Sequence, residues 1–140
     1  MNQLKSLEQA VEVITRVMGT LEAEAFNQEG FSDLSMRQLL YLETIARMER
    51  PTFSELAENL GVTKPSVTAI VQKLTRLGYV EKVQSQEDRR VYHIALRERG
   101  QQFTEMHHNV HKLVAQRLME RLDDAEVQQL VGLFQKVIRP

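Results

Sequence analysis

The chain contains no cysteine. Disulfides, zinc–thiolate centres and thiol-based redox sensing are therefore excluded together. No apolar run approaches the roughly 18–20 residues needed to span a bilayer. The opening stretch, MNQLKSLEQAVEVITRV, alternates polar and apolar residues and lacks the continuous apolar core of a signal peptide. A soluble, cytoplasmic protein without a membrane partner is expected. Charge of one sign is also missing overall. The formal net charge is -1 with 26% charged residues, so any preference for nucleic acid or for acidic ligands must lie in how the charges are distributed. There is no internal repeat and no low-complexity segment. No Gly-rich phosphate loop, nucleophile–base pair or paired-carboxylate motif stands out, so neither an enzyme nor a bound cofactor is expected.

What is present is helical periodicity. A chain of 140 residues that is 42% hydrophobic can bury a real core. Leu4, Leu7, Val11, Ile14, Met18, Leu21 and Ala25 recur at spacings of three and four, which predicts a helix over 3–28 with a heptad-like seam. So narrow a seam asks for partner helices, from the same chain or from a second copy. A simple amphipathic helix on a monomer is the plainer alternative. After a break at Phe31–Leu34, Ser35 is placed to cap a helix over 36–48. Leu39, Leu40, Leu42, Ile45 and Ala46 make that helix largely apolar and predict a central position. Pro51 ends it, because the residue before proline avoids the helical region.

Two short helices follow at close quarters. Thr52-Phe53-Ser54-Glu55 fits a capping box. FSELAENL puts Phe53, Leu56, Ala57 and Leu60 on one face, and Gly61 is a left-handed stop. Thr63 is placed to cap the next helix, in whose first turn Pro65 is tolerated. A pair joined this tightly is a helix-turn-helix. In the second helix Val67, Ile70, Val71, Leu74 and Leu77 face the core. The outer face is Lys64, Ser66, Thr68, Ala69, Gln72, Lys73, Thr75 and Arg76. It carries hydroxyls, a methyl, an amide and cations but no carboxylate, the set of groups a DNA major groove accepts. Beyond Gly78 the period becomes two. YVEKVQ and RRVYHIAL predict a hairpin with a charged tip at Ser85–Asp88, a wing. Between residues 64 and 99, eight cations stand against four anions, a local balance of +4. Between residues 1 and 30, two cations stand against five anions, a balance of -3. That segregation suits a duplex binder. A merely solvated basic face and a protein–protein module on a winged helix are the competing readings. From Gly100 the sequence returns to helical spacing, with Phe103, Met106, Val110, Leu113, Val114 and Leu118 on one face. Asp123 and Asp124 mark a break before a last amphipathic helix.

The stretch QSQEDRRVYHIALRERG, together with SELAENLGVTKPSVTAIVQKLTRLGYVEK, resembles the MarR (multiple antibiotic resistance regulator) family of transcription regulators, and the likeness extends over nearly all 140 residues. The resemblance implies a mainly α fold with a small β-wing, in one domain over 1–140. A winged helix-turn-helix DNA-binding lobe at 35–99 would join a helical dimerisation lobe made of helices 3–28 and 100–139. It implies a homodimer on a pseudo-palindromic double-stranded operator, most simply a repressor released by a small-molecule effector. On matching positions, Thr63, Lys64, Ser66, Thr68, Gln72, Lys73 and Arg76 would meet DNA from the helix, and Arg89 and Arg90 from the wing. Asp88 would orient Arg90, although a turn residue alone also explains it. The family's threonine cap ahead of the fifth helix is replaced here by Arg97. Phe31, Arg37 and Tyr41 are the residue types that would line an effector pocket. His107 and His111, four apart on a helix, resemble the histidine cluster of metal-responsive relatives. Those relatives complete the site from the second helix, where this chain has Leu39 and Leu40, so no metal is expected.

Overall fold

The computed structural model describes residues 2–139, without the side chains of Gln28 and Glu29. Among these residues the order is α1 (Gln3–Glu29), α2 (Met36–Met48), α3 (Phe53–Leu60), α4 (Lys64–Arg76), β1 (Val80–Gln84), β2 (Tyr92–Leu96), α5 (Glu98–Arg121) and α6 (Asp124–Ile138). The fold is mainly α with a two-stranded antiparallel sheet. The chain divides into two compact units. One is Phe26–Met106; the other takes the described residues up to Ala25 and from His107 onwards. The division falls inside α1 and inside α5.

The unit Phe26–Met106 carries a dense apolar core. Leu42 and Ile45 of α2, Leu56 of α3, Val67, Val71 and Leu74 of α4, and Ile94 of β2 are all buried. Local chemistry sets the helix ends. Ser35 and Gln38 form a reciprocal capping box on α2, with Ser35 N–H donating to Gln38 Oε1 at 2.8 Å and Gln38 N–H donating to Ser35 Oγ at 3.2 Å. Of the box expected on α3, the Thr52 arm is formed: its hydroxyl accepts from Glu55 N–H at 3.1 Å. Gly61 ends α3 at φ 65°, a conformation that costs glycine nothing. Thr63 caps α4, accepting from Ser66 N–H at 3.3 Å.

Two details of this unit depart from the sequence reading. Leu40 is 52% exposed, whereas Gln38 and Thr44 of the same helix are buried. Both polar side chains are satisfied locally, Gln38 in the cap and Thr44 by donating to Leu40 O at 2.7 Å. A buried polar group that keeps its hydrogen bonds carries little penalty, so apolarity alone did not decide which side faces inwards. The turn after α2 is also unusual. Glu49 and Arg50 both have positive φ, 53° and 57°. Such backbone costs on the order of 1–3 kcal/mol per residue. It is held by β2: Ile94 N–H donates to Pro51 O at 2.8 Å and His93 Nδ1 bonds Arg50 O at 2.9 Å.

The other unit is thinly packed. Val110 and Val114 of α5 are buried, but Leu4, Leu7 and Val11 of α1 and Phe134, Val137 and Ile138 of α6 are exposed. Asp123 caps α6 in a second complete box with Glu126. Among the described residues no helix is long and apolar enough to cross a membrane.

Candidate nucleic-acid interface

Helix α4 presents its polar side to solvent because Val67, Val71 and Leu74 are drawn into the core. Pro65 sits in its first turn, where a missing N–H costs nothing. On the outer side Lys64, Thr68, Ala69, Gln72, Lys73 and Arg76 are exposed. Several hydroxyls are spoken for within the helix. The Thr63 and Ser66 hydroxyls lie 2.9 Å apart, and Thr68 donates to Lys64 O at 3.1 Å. Thr75, expected outside, is half-buried and donates to Val71 O at 2.7 Å.

The hairpin pairs Val80 with Leu96 through to Gln84 with Tyr92. The expected alternation along β2 is broken, since Ile94 and Ala95 are both buried while Tyr92 is exposed. Ile94 is covered because it lies at the body of the unit, Tyr92 is not because it lies towards the tip, and alanine is small enough to be covered on the other face. At the tip, Ser85 N–H donates to Val91 O and Val91 N–H to Asp88 O, closing the turn. Asp88 then grips Arg90 in a fork. Arg90 Nε donates to Oδ1 and a terminal nitrogen to Oδ2, each at 3.1 Å, and Arg90 N–H also donates to Oδ1. This hydrogen bonding holds the Asp88 carboxyl below the usual carboxylate range. The Arg90 side chain is nonetheless 90% exposed. It is oriented without being covered.

Helix and wing enclose a groove of about 440 Å³ that includes Lys64, Thr68, Lys82, Arg90 and Tyr92. A second, of about 240 Å³, includes Thr68, Gln72, Arg76 and Lys82. A third surface, open to solvent, runs over Lys64, Pro65, Thr68, Ala69 and Gln72. Thr68 belongs to all three and no carboxylate lines any of them. Of the residues singled out by sequence, these surfaces bring together Lys64, Thr68, Gln72, Arg76 and Arg90. Lys73 and Arg89 are exposed beside them. Lys82 emerged from the sequence only as one charge among eight.

One counted cation belongs elsewhere. Arg99 pairs with Asp33 at 3.0 Å, donates to Leu77 O and Gly30 O, and lies over the Tyr79 ring at 4.4 Å. The Tyr79 hydroxyl donates to the same carboxylate at 2.7 Å. Burial, together with that acceptor and its negative charge, pushes the Tyr79 phenol well above its ordinary range. Arg99 therefore ties the α1–α2 loop to the end of α4.

Phe31 and Tyr41 are buried in the core; Arg37 is exposed. Phe31 packs edge-on against Phe103 with ring centroids 5.7 Å apart. These three do not share any of the grooves described above. The His107 and His111 rings meet edge to face, with centroids 4.4 Å apart. Among the described residues no three His, Cys, Asp or Glu side chains are placed to hold a metal ion.

A recognition-type helix held second in a tight helix pair, followed by a hairpin with an exposed arginine, defines a winged helix-turn-helix protein. Residues 32–91 match the family model described as the MarR family. Over 108 residues the chain is 28% identical to an HTH-type transcriptional regulator, YpoP, of Bacillus subtilis (strain 168), covering 75% of this chain and 74% of that one. Among solved structures it is similar to FabT of Streptococcus pneumoniae in complex with DNA, at 26% identity and TM-score 0.72, over 96% of this chain and 97% of that one. It is also similar to wild-type MarR of E. coli in the apo form, at 25% identity and TM-score 0.63, over 95% and 97%. The fold is that of winged helix-turn-helix proteins, and residues 32–91 carry the likeness to the MarR family.

Proposed function

We infer that the chain binds a pseudo-palindromic duplex operator as a homodimer. In each copy α4 enters the major groove and the wing reaches the adjacent minor groove. The observation that carries this reading is the carboxylate-free surface of α4, which continues through the grooves to an exposed Arg90 held by Asp88. A protein–protein module has no need to clear every carboxylate from such a surface. A polyanion does require it, because phosphate contacts supply most of the sequence-independent affinity. Gln72, Lys73 and Arg76 address base edges and phosphates, Thr68 and Ala69 the groove floor, and Thr63, Lys64, Ser66 and Arg89 the flanking backbone. A narrow minor groove concentrates negative potential and attracts Arg90. The DNA-bound state of FabT, a relative of similar length, supports the same partner for this chain.

Two copies would place half-sites about one helical turn apart, roughly 10 bp. Occupying the operator represses transcription, and a small-molecule effector releases the protein. For the effector, the residue with most support is Tyr41, whose hydroxyl is buried without a partner among the described residues. His107 and His111 supply two of the four ligands a structural zinc takes, which does not favour a metal-responsive regulator.

The test is Arg90→Ala in the full chain, with affinity for duplex DNA measured across a salt series. Wild-type affinity should fall steeply with salt. The variant should bind at least about fivefold more weakly. Equal affinity would remove the wing from the mechanism, and a flat salt response in the wild type would remove DNA.

A further inference from the structure

Lys82 is the cation that the helix face and the wing share. It pairs with Ile94 in the hairpin register, so it emerges on the same face as Tyr92, two residues along β2. Its Nζ lies 4.5 Å from the centre of the Tyr92 ring and 5.6 Å from that of Phe53, the first residue of α3. Lys82 consequently lines both the groove holding Lys64 and Arg90 and the groove holding Gln72 and Arg76.

What holds this ammonium matters. Asp88 pairs with Arg90 and Asp33 with Arg99, and neither carboxylate holds Lys82. A carboxylate partner offsets part of a lysine's pull on a polyanion. A lysine fixed by ring faces keeps its whole charge, because the ring quadrupole attracts without neutralising. The cost of ordering a long flexible stem is met in the free protein, which favours later binding. An ammonium is a compact point charge with no planar fork for base edges, and it suits a phosphate oxygen.

We propose that Lys82 is a backbone-phosphate contact, held by Phe53 and Tyr92 where a DNA strand passes from α4 to the wing. This rests on the DNA-binding reading above and adds to it a residue and a role.

The experiment compares wild type with Lys82→Gln, which removes the charge and keeps most of the stem. Each is titrated with a mixed-sequence duplex over a range of salt, after circular dichroism has confirmed the fold. The slope of log affinity against log salt should become shallower by about 0.9 in the variant, one phosphate's worth of released counterions. Tyr92→Leu should weaken binding severalfold at the wild-type slope, and Tyr92→Phe should restore it. An unchanged slope for Lys82→Gln beside a steep wild type overturns the contact alone. Wild-type affinity in Tyr92→Leu overturns the aromatic hold. A wild type that ignores salt overturns the DNA-binding reading and this proposal with it.

Discussion

Asp88 acts on Arg90 through three hydrogen bonds at once, one from the backbone N–H and two from the guanidinium. Seven residues, 85–91, separate the two strands and would otherwise leave a long cationic side chain free to wander. The fork fixes its direction, and the exposed remainder of the guanidinium keeps donors for a ligand. Because hydrogen bonding to Arg90 lowers the Asp88 pKa, the sign of the pH dependence follows. The pair is intact above the ordinary carboxylate range and is lost only as pH falls through the lowered value. Between pH 5 and 8 it does not titrate, so any pH dependence of binding in that window has another source. In a carboxyl-carbon NMR titration, Asp88 should show a midpoint below that of an unstructured aspartate. Arg90→Ala should move it back up. An ordinary midpoint in the wild type would mean that the fork does not persist in solution.

At the scale of elements, the join between the wing and α5 depends on Gly100. A Cβ there would overlap the Tyr79 carbonyl oxygen and press on Leu96. That carbonyl already accepts from Arg97 N–H at 2.9 Å, so it is not free to move aside. Gly100→Ala brings two opposed effects. Alanine favours a helix over glycine by up to about 1 kcal/mol. Overpacking against a fixed backbone costs about 1–3 kcal/mol. Net destabilisation of up to about 2 kcal/mol is expected in chemical denaturation, and a stabilised variant would show that the carbonyl yields. The sequence displayed Gly100 only as the point where helical spacing resumes, because its φ is ordinary and close approach leaves no local mark. Much else was readable because its cause is local. Ser35, Thr63, Gly61 and Asp123 each sit where they cap or stop a helix, and the wing declared itself by a change of period. The cluster of Asp33, Tyr79 and Arg99 was not readable. Tyr79 is 46 residues from the Asp33 it bonds and Arg99 is 69 from Gly30, and Arg99 looked like one more phosphate-facing cation. For the same reason Lys82 was counted without being distinguished: its two aromatic neighbours come from α3 and β2.

For the whole molecule, the two units make opposite demands on their surroundings. Phe26–Met106 has a filled core and a basic outer face, whereas the unit built from the first part of α1, the later part of α5 and α6 leaves large apolar side chains in water. Val137 is 80% exposed and Ile138 81%. Scattered exposed leucines need no explanation, but Leu4, Leu7 and Val11 recur at helical spacing along α1, and Phe134, Val137 and Ile138 along α6, as the faces of the proposed homodimer would. A second copy covers such faces most economically, and a stable interface of this kind buries about 800 Å² per partner. Sedimentation equilibrium at micromolar concentration should return twice the chain mass. Phe134→Asp combined with Val137→Asp should return the monomer mass and weaken binding to a two-half-site duplex far more than to a single half-site. The unit Phe26–Met106 should keep its fold, because neither residue belongs to it. That last comparison separates a lost partner from a lost reader. If both duplexes weaken equally, α6 acts on the DNA-reading unit itself, and if the wild type sediments as a monomer, the exposed rows serve some purpose other than pairing.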